Sequence, residues 1–92
     1  MTSSPAHILV VDDALLIRGL LKQALRKYGY VVDTVSDGQQ AIEYFLKYHP
    51  DLILMDADMP VLDGVSACAR IRKLPGAKHL PIIMVTAFLE GQ

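Results

Sequence analysis

Apolar residues fall along the chain in two rhythms. Short unbroken runs, Ile8-Leu9-Val10-Val11, Leu52-Ile53-Leu54-Met55 and Ile82-Ile83-Met84-Val85, are separated by longer stretches in which apolar residues return every three or four positions. Runs of this length, rich in β-branched residues and bounded by turn signals, predict strands without a polar face. Leu15 to Tyr28 carries apolar residues at 16, 17, 20, 21, 24, 25 and 28, with Arg18, Lys22, Gln23, Arg26 and Lys27 on the other side. That spacing predicts an amphipathic helix. Gly29 ends it, because helix C-termini favour a left-handed residue.

Tyr30 to Val35 predicts a second strand, and Asp33 and Thr34 make it half-polar, which suits a sheet edge. Ser36-Asp37-Gly38 is a turn that also supplies a helix N-cap. Gln39 to Tyr48 predicts a second helix with Ala41, Ile42, Phe45 and Leu46 inward. It ends at His49-Pro50, since a residue before proline is driven from helical angles. Ala57 to Gly64 is a loop, Val65 to Leu74 a short helix, and Pro75-Gly76 its breaker. The order β-α-β-α-β-α-β predicts an α/β doubly wound parallel sheet with helices on both faces. Right-handed crossovers, with the apolar strands central, give the spatial order 2-1-3-4. Strand 4 is apolar throughout, like a central strand, yet the sequence stops at Gln92, six residues past Thr86. The expectation is a domain incomplete at its C-terminus, with an open edge at strand 4 that would pair with or swap into a second copy.

Composition narrows the class. Ninety-two residues hold one domain, read as a frayed tail over 1–6 and the domain over 7–92. Nine Lys+Arg against ten Asp+Glu leave a net charge of -1, which argues against a nucleic-acid binder driven by bulk charge. The single cysteine, Cys68, excludes an internal disulfide and fits a reducing cytoplasm. No apolar run approaches the roughly 20 residues of a membrane span, and Met1 to Pro5 lacks the pattern of a signal peptide.

The chemistry gathers at strand ends. In an open parallel sheet ligands bind beyond the carboxyl ends of the strands, where the strand order reverses. Strand 1 runs into Asp12-Asp13 and strand 3 into Asp56. Carboxylates brought together there repel, so either a pKa rises or a cation binds. Hard oxygen ligands with open positions suit Mg2+. Thr86 ends strand 4 at the same edge, as a hydroxyl donor to an anion near Asp56. Met59-Pro60 and Asp63-Gly64 shape the loop, and Gly64 suits a close backbone approach or a helix start. His7, His49 and His79 show no metal-ligand spacing and are assigned to surface or loop.

Three segments, Val10-Val11-Asp12-Asp13, Asp56-Ala57-Asp58-Met59-Pro60-Val61-Leu62-Asp63-Gly64 and Val85-Thr86-Ala87, together resemble the receiver domain of two-component response regulators. The resemblance runs over nearly the whole chain from His7 and implies a flavodoxin-like, CheY-like fold. It implies that Asp56 accepts a phosphoryl group from a histidine kinase or histidine phosphotransfer protein. Asp13 and Asp56 would bind Mg2+ directly, Asp12 would contribute through water, and the Asp58 backbone carbonyl would be a further ligand. Thr86 and Ala87 would bind the phosphoryl group and switch with it. Arg18 and Lys22 become contact candidates for the phosphodonor protein. A receiver is a cytoplasmic switch rather than an enzyme, at most catalysing its own phosphorylation and dephosphorylation, with no membrane or direct nucleic-acid contact.

The sequence also departs from the family. The family's fifth strand, with its phosphoryl-pairing lysine and switch aromatic, and its last two helices have no counterpart here. Lys22, Lys27, Lys47, Lys73 and Lys78 fall on helices or in a helix–strand loop, none at a strand end. An alternative follows: a phosphorylation-independent interaction or oligomerisation module pairing through the strand 4 edge. A third reading, a small Mg2+-dependent phosphotransferase, lacks a substrate pocket and an acid–base residue.

Overall fold

The computed structural model describes residues 4–85. Four strands alternate with three helices: β1 (His7–Val11), α1 (Leu15–Arg26), β2 (Val31–Val35), α2 (Gly38–Tyr48), β3 (Leu52–Asp56), α3 (Gly64–Arg72) and β4 (Ile82–Val85). Every strand pair is parallel and the order is β2-β1-β3-β4, as the apolar pattern predicts. Helix ends differ from the predicted limits by up to two residues. Tyr28 and Gly29 donate their N–H groups to the carbonyls of Leu25 and Arg26, three residues back, so the end of α1 tightens before the chain turns at Gly29. The same i→i−3 bonds, from Lys73 and Leu74, close α3 two residues before Leu74.

Period-two alternation gives the sheet two apolar faces. Leu9, Val11, Ile53 and Met55 point to one side, where Ala41 and Phe45 of α2 and Ala67 and Ile71 of α3 cover them. Ile8, Val10 and Val32 point to the other, against Leu21 and Leu25 of α1. Burial of a side chain such as Phe45 contributes about 2 kcal/mol.

One burial expectation, that Leu46 faces inward, is corrected, and the other elements are covered unevenly. No residue of α1 is fully buried, and Leu16 is 72% and Leu20 54% exposed. The helix lies over β1 and β2, so only the stripe carrying Leu21 and Leu25 meets the sheet. Leu46 of α2 is exposed because it lies roughly 100° round the helix from Phe45, the residue that points into the core. In β4, Ile82 and Met84 pack on the core, whereas among the described residues nothing buries Ile83 and Val85.

Candidate functional site

The β1–β3 pairing sets Val11 beside Met55, so the residues that follow, Asp12 just past β1 and Asp56 at the end of β3, lie side by side. Asp12, Asp13 and Asp56 each offer a carboxylate oxygen, and these atoms all lie within 4.8 Å of one another. The three carboxylates singled out in the sequence therefore meet at the carboxyl edge, between β1 and β3. Their exposure differs. Asp12 is 8% exposed, Asp56 is half-buried and Asp13 is open to solvent.

Asp12 is held at three points. Its N–H donates to the Val35 carbonyl (3.2 Å), its Oδ1 accepts from the Ala14 N–H (2.9 Å), and its own carbonyl accepts from Arg18 Nη1 (2.8 Å). Ala14 occupies the N-cap position of α1 without a side chain that could cap. Asp12 takes over part of that task from two residues upstream. Asp56 Oδ1 accepts from the Asp58 N–H at 3.2 Å. Burial pushes the Asp56 carboxyl pKa up, and the charges of Asp12 and Asp13 push it further, against the Asp58 N–H that lowers it. That repulsion is the strain a cation would relieve.

The loop after Asp56 is built to pass close to the strand. The Ala57 N–H donates to the Val85 carbonyl of β4, and the Gly64 N–H returns to the Ala57 carbonyl, each at 3.1 Å. Asp63 caps α3: its carboxylate accepts from the Ser66 N–H at 2.8 Å and from the Ser66 hydroxyl at 3.1 Å, which holds its pKa down. Met59 is buried in the core beneath the loop, and Pro60 is exposed. Val61 has φ 70° and the Leu62 N–H donates to the Pro60 carbonyl at 2.8 Å, the geometry of a γ-turn. Asp58 is exposed beside the cluster. Thr86 and Ala87 lie outside the described residues.

Two residues matter more than the sequence suggests. The Gly38 N–H donates to the Leu62 carbonyl at 3.1 Å, and a Cβ there would sit 2.5 Å from that oxygen, so Gly38 fastens α2 to the site loop. Arg18, read from sequence only as a partner contact, reaches back to the Asp12 main chain. Neither contact has a local signature. A third group lies elsewhere: His7, assigned to the surface, is half-buried, with Nε2 against the Tyr44 hydroxyl and Asp33 Oδ2. Tyr44 also donates to Asp33. His7 opens β1, so this cluster sits toward the end of that strand opposite the acidic one.

Three carboxylates converging on one point, the most buried with its backbone already bonded, fit a hard divalent cation that keeps some of its water. The fold and the site define a doubly wound α/β domain with an acidic ligand site at its topological switch point. The chain belongs to the response regulator receiver domain family, which matches residues 8–92. It is 45% identical over 87 residues to the "Probable transcriptional regulator ycf27" of Cyanophora paradoxa, covering 95% of this chain and 35% of that protein. The chain thus spans about a third of the length of the curated relatives it matches. Among solved structures, it is similar to the receiver domain of the sensor histidine kinase PA1611 of Pseudomonas aeruginosa, which has a magnesium ion coordinated in its active site cleft. That match has TM-score 0.87 and 40% identity, over 95% of this chain and 72% of the other. It also resembles the response regulator protein TrrA of Thermotoga maritima, solved in complex with Mg(2+)-BeF, with TM-score 0.84 and 39% identity over 91% and 71% of the two chains.

Proposed function

We propose that this chain is a phosphoacceptor switch, in which Asp56 takes a phosphoryl group from a phosphohistidine of a kinase or phosphotransfer protein. The observation that carries the reading is the convergence of Asp12, Asp13 and Asp56 within 4.8 Å. Asp13 and Asp56 would hold Mg2+, with Asp12 behind them and the Asp58 carbonyl as a further ligand. Bound there, Mg2+ supplies charge neutralisation between a carboxylate and an incoming phosphoryl group.

The remaining work falls to the chain. The Asp58 N–H donates to Asp56 Oδ1 and orients the carboxylate, one oxygen of which attacks. A bond forms from that oxygen to phosphorus while the donor's P–N bond breaks, its electron pair staying on the imidazole nitrogen. Phosphoryl transfer needs alignment and charge stabilisation more than covalent help. The product adds about -1.5 to -2 charge at the site at neutral pH. Thr86, next in sequence after β4, is the proposed donor to the phosphoryl oxygens, with Ala87 following it. The switch would act in the cytoplasm; among the described residues no helix is long and apolar enough to cross a membrane. The receiver-domain relatives favour this reading over an edge-pairing interaction module.

Intact mass after incubation with Mg2+ and acetyl phosphate tests it. A gain of about 80 Da, one phosphoryl group, is expected in the parent chain and not in Asp56→Asn. No gain in a folded sample refutes it.

A further inference from the structure

We propose that Arg18 is a positioning residue of the acidic site: it grips the main chain of Asp12 and so fixes the bend that turns Asp12 and Asp13 toward Asp56. The inference rests on the phosphoacceptor reading above and adds a residue to it.

Arg18 lies in the first turn of α1 and is half-buried. A cation there faces the positive end of the helix dipole, where it is disfavoured. Its placement needs a compensating contact, and the structure supplies one. Nη1 donates to the Asp12 carbonyl oxygen at 2.8 Å, six residues back along the chain. Among the described residues the ion pair formed is that of His7 with Asp33, and Arg18 pairs with no carboxylate.

This choice of acceptor has a chemical consequence. An arginine paired with Asp12 or Asp13 would neutralise the charge a cation needs. One bonded to a neutral carbonyl supports the backbone and leaves the carboxylates free. The N–H, the carbonyl and Oδ1 of Asp12 are all engaged, and Oδ2 takes part in none of those bonds. Partners behind the ligands of a metal site orient them in this way. Lys22, one turn further along α1, is half-buried and its charge acts on Asp33 of β2. It carries the same charge without the inward bond and serves as the control.

Positioning and plain electrostatics predict opposite signs. Removing a positive charge near the cluster draws Mg2+ in more tightly; removing a support weakens its binding. Mg2+ affinity by calorimetry and amide exchange by NMR without metal are measured on the parent chain, Arg18→Ala, Arg18→Lys and Lys22→Ala. Arg18→Ala is expected to weaken Mg2+ binding about tenfold and to speed exchange of the Ala14 amide. Arg18→Lys restores part of both, and Lys22→Ala neither weakens binding nor speeds exchange. An unchanged or tightened affinity in Arg18→Ala overturns the proposal, as does an Ala14 amide whose exchange is unaltered. If circular dichroism shows Arg18→Ala unfolded, Arg18→Gln is read against the same two criteria. Failure of the underlying site is distinct. It shows as no Mg2+ binding in the parent chain, or binding that survives Asp13→Asn, and amide exchange alone then decides the role of Arg18.

Discussion

Gly64 lies against the carbonyl of Asp56 so closely that no side chain fits between them. A Cβ at Gly64 would sit 2.0 Å from the Asp56 oxygen and 2.9 Å from Met55 Cγ. The first residue of α3 is therefore packed onto the backbone of the proposed acceptor. Gly64→Ala should cost about 3 kcal/mol through overpacking and displace Asp56. Gly19, inside α1, has nothing within 4 Å of the same added atom. Gly19→Ala should instead stabilise by about 0.5–1 kcal/mol, the helix-propensity difference. Urea unfolding of both variants checks the contrast; equal effects would contradict it.

Val61 is a β-branched residue held at φ 70° while 82% exposed. A non-glycine residue in the left-handed region costs about 1–3 kcal/mol, and so exposed a side chain returns little packing. Val61→Gly should stabilise the chain by about 1 kcal/mol after glycine's own entropy is subtracted. A fall in the denaturation midpoint would show that Val61 contributes contacts worth more than its strain.

Asp56 has a raised pKa in the folded chain, mainly from burial and then from Asp12 and Asp13. A raised carboxyl pKa adds stability below the unfolded value, and that stability is lost as pH rises through the folded one. Without divalent cations, Asp56→Asn should therefore be more stable than the parent chain at neutral pH. The gap should close as pH falls to about 4, the ordinary carboxylate range. Thermal melts in a chelator across that range test the sign. Adding Mg2+ should raise the midpoint of the parent chain and leave Asp56→Asn behind.

Asp33 has the opposite sign. The Tyr44 hydroxyl first, and the His7 ring after it, hold its pKa down against burial, which raises it. Its contribution is present above the unfolded carboxyl value and is lost as pH falls through the lowered folded one. Tyr44→Phe should destabilise the chain at neutral pH by under about 1 kcal/mol, since Asp33 is largely solvent-screened. The difference should vanish in acid. A constant difference down to low pH would mean that the Tyr44 ring, not its hydroxyl bond, carries the effect.

Much of the architecture was legible because each element has its own period. The runs at Ile8, Leu52 and Ile82 and the half-polar strand at Asp33 suffice to order the sheet, and strand ends place Asp12, Asp13 and Asp56 at one edge. Coverage was not legible. A stripe such as Leu16, Leu20, Leu21 and Leu25 shows which residues share a face, not whether a neighbour lies over it. Long-range backbone contacts were hidden too. Asp37-Gly38 reads as a turn, and nothing nearby announces that the Gly38 N–H belongs to Leu62. Arg18 reads from sequence as one of several cations on the polar side of α1, because its partner is a carbonyl, which every residue carries.

The pairing of Val11 with Met55 has a consequence for assembly of the chain. The site has no local precursor, because Asp12 and Asp13 meet Asp56 only when β1 and β3 lie together. A slip of one residue in that pairing would turn the Asp56 side chain to the other face of the sheet. A cation shared by the three carboxylates can therefore form only on correctly aligned strands. Occupancy of the site would proofread the sheet, withholding its stabilisation from chains folded in the wrong register.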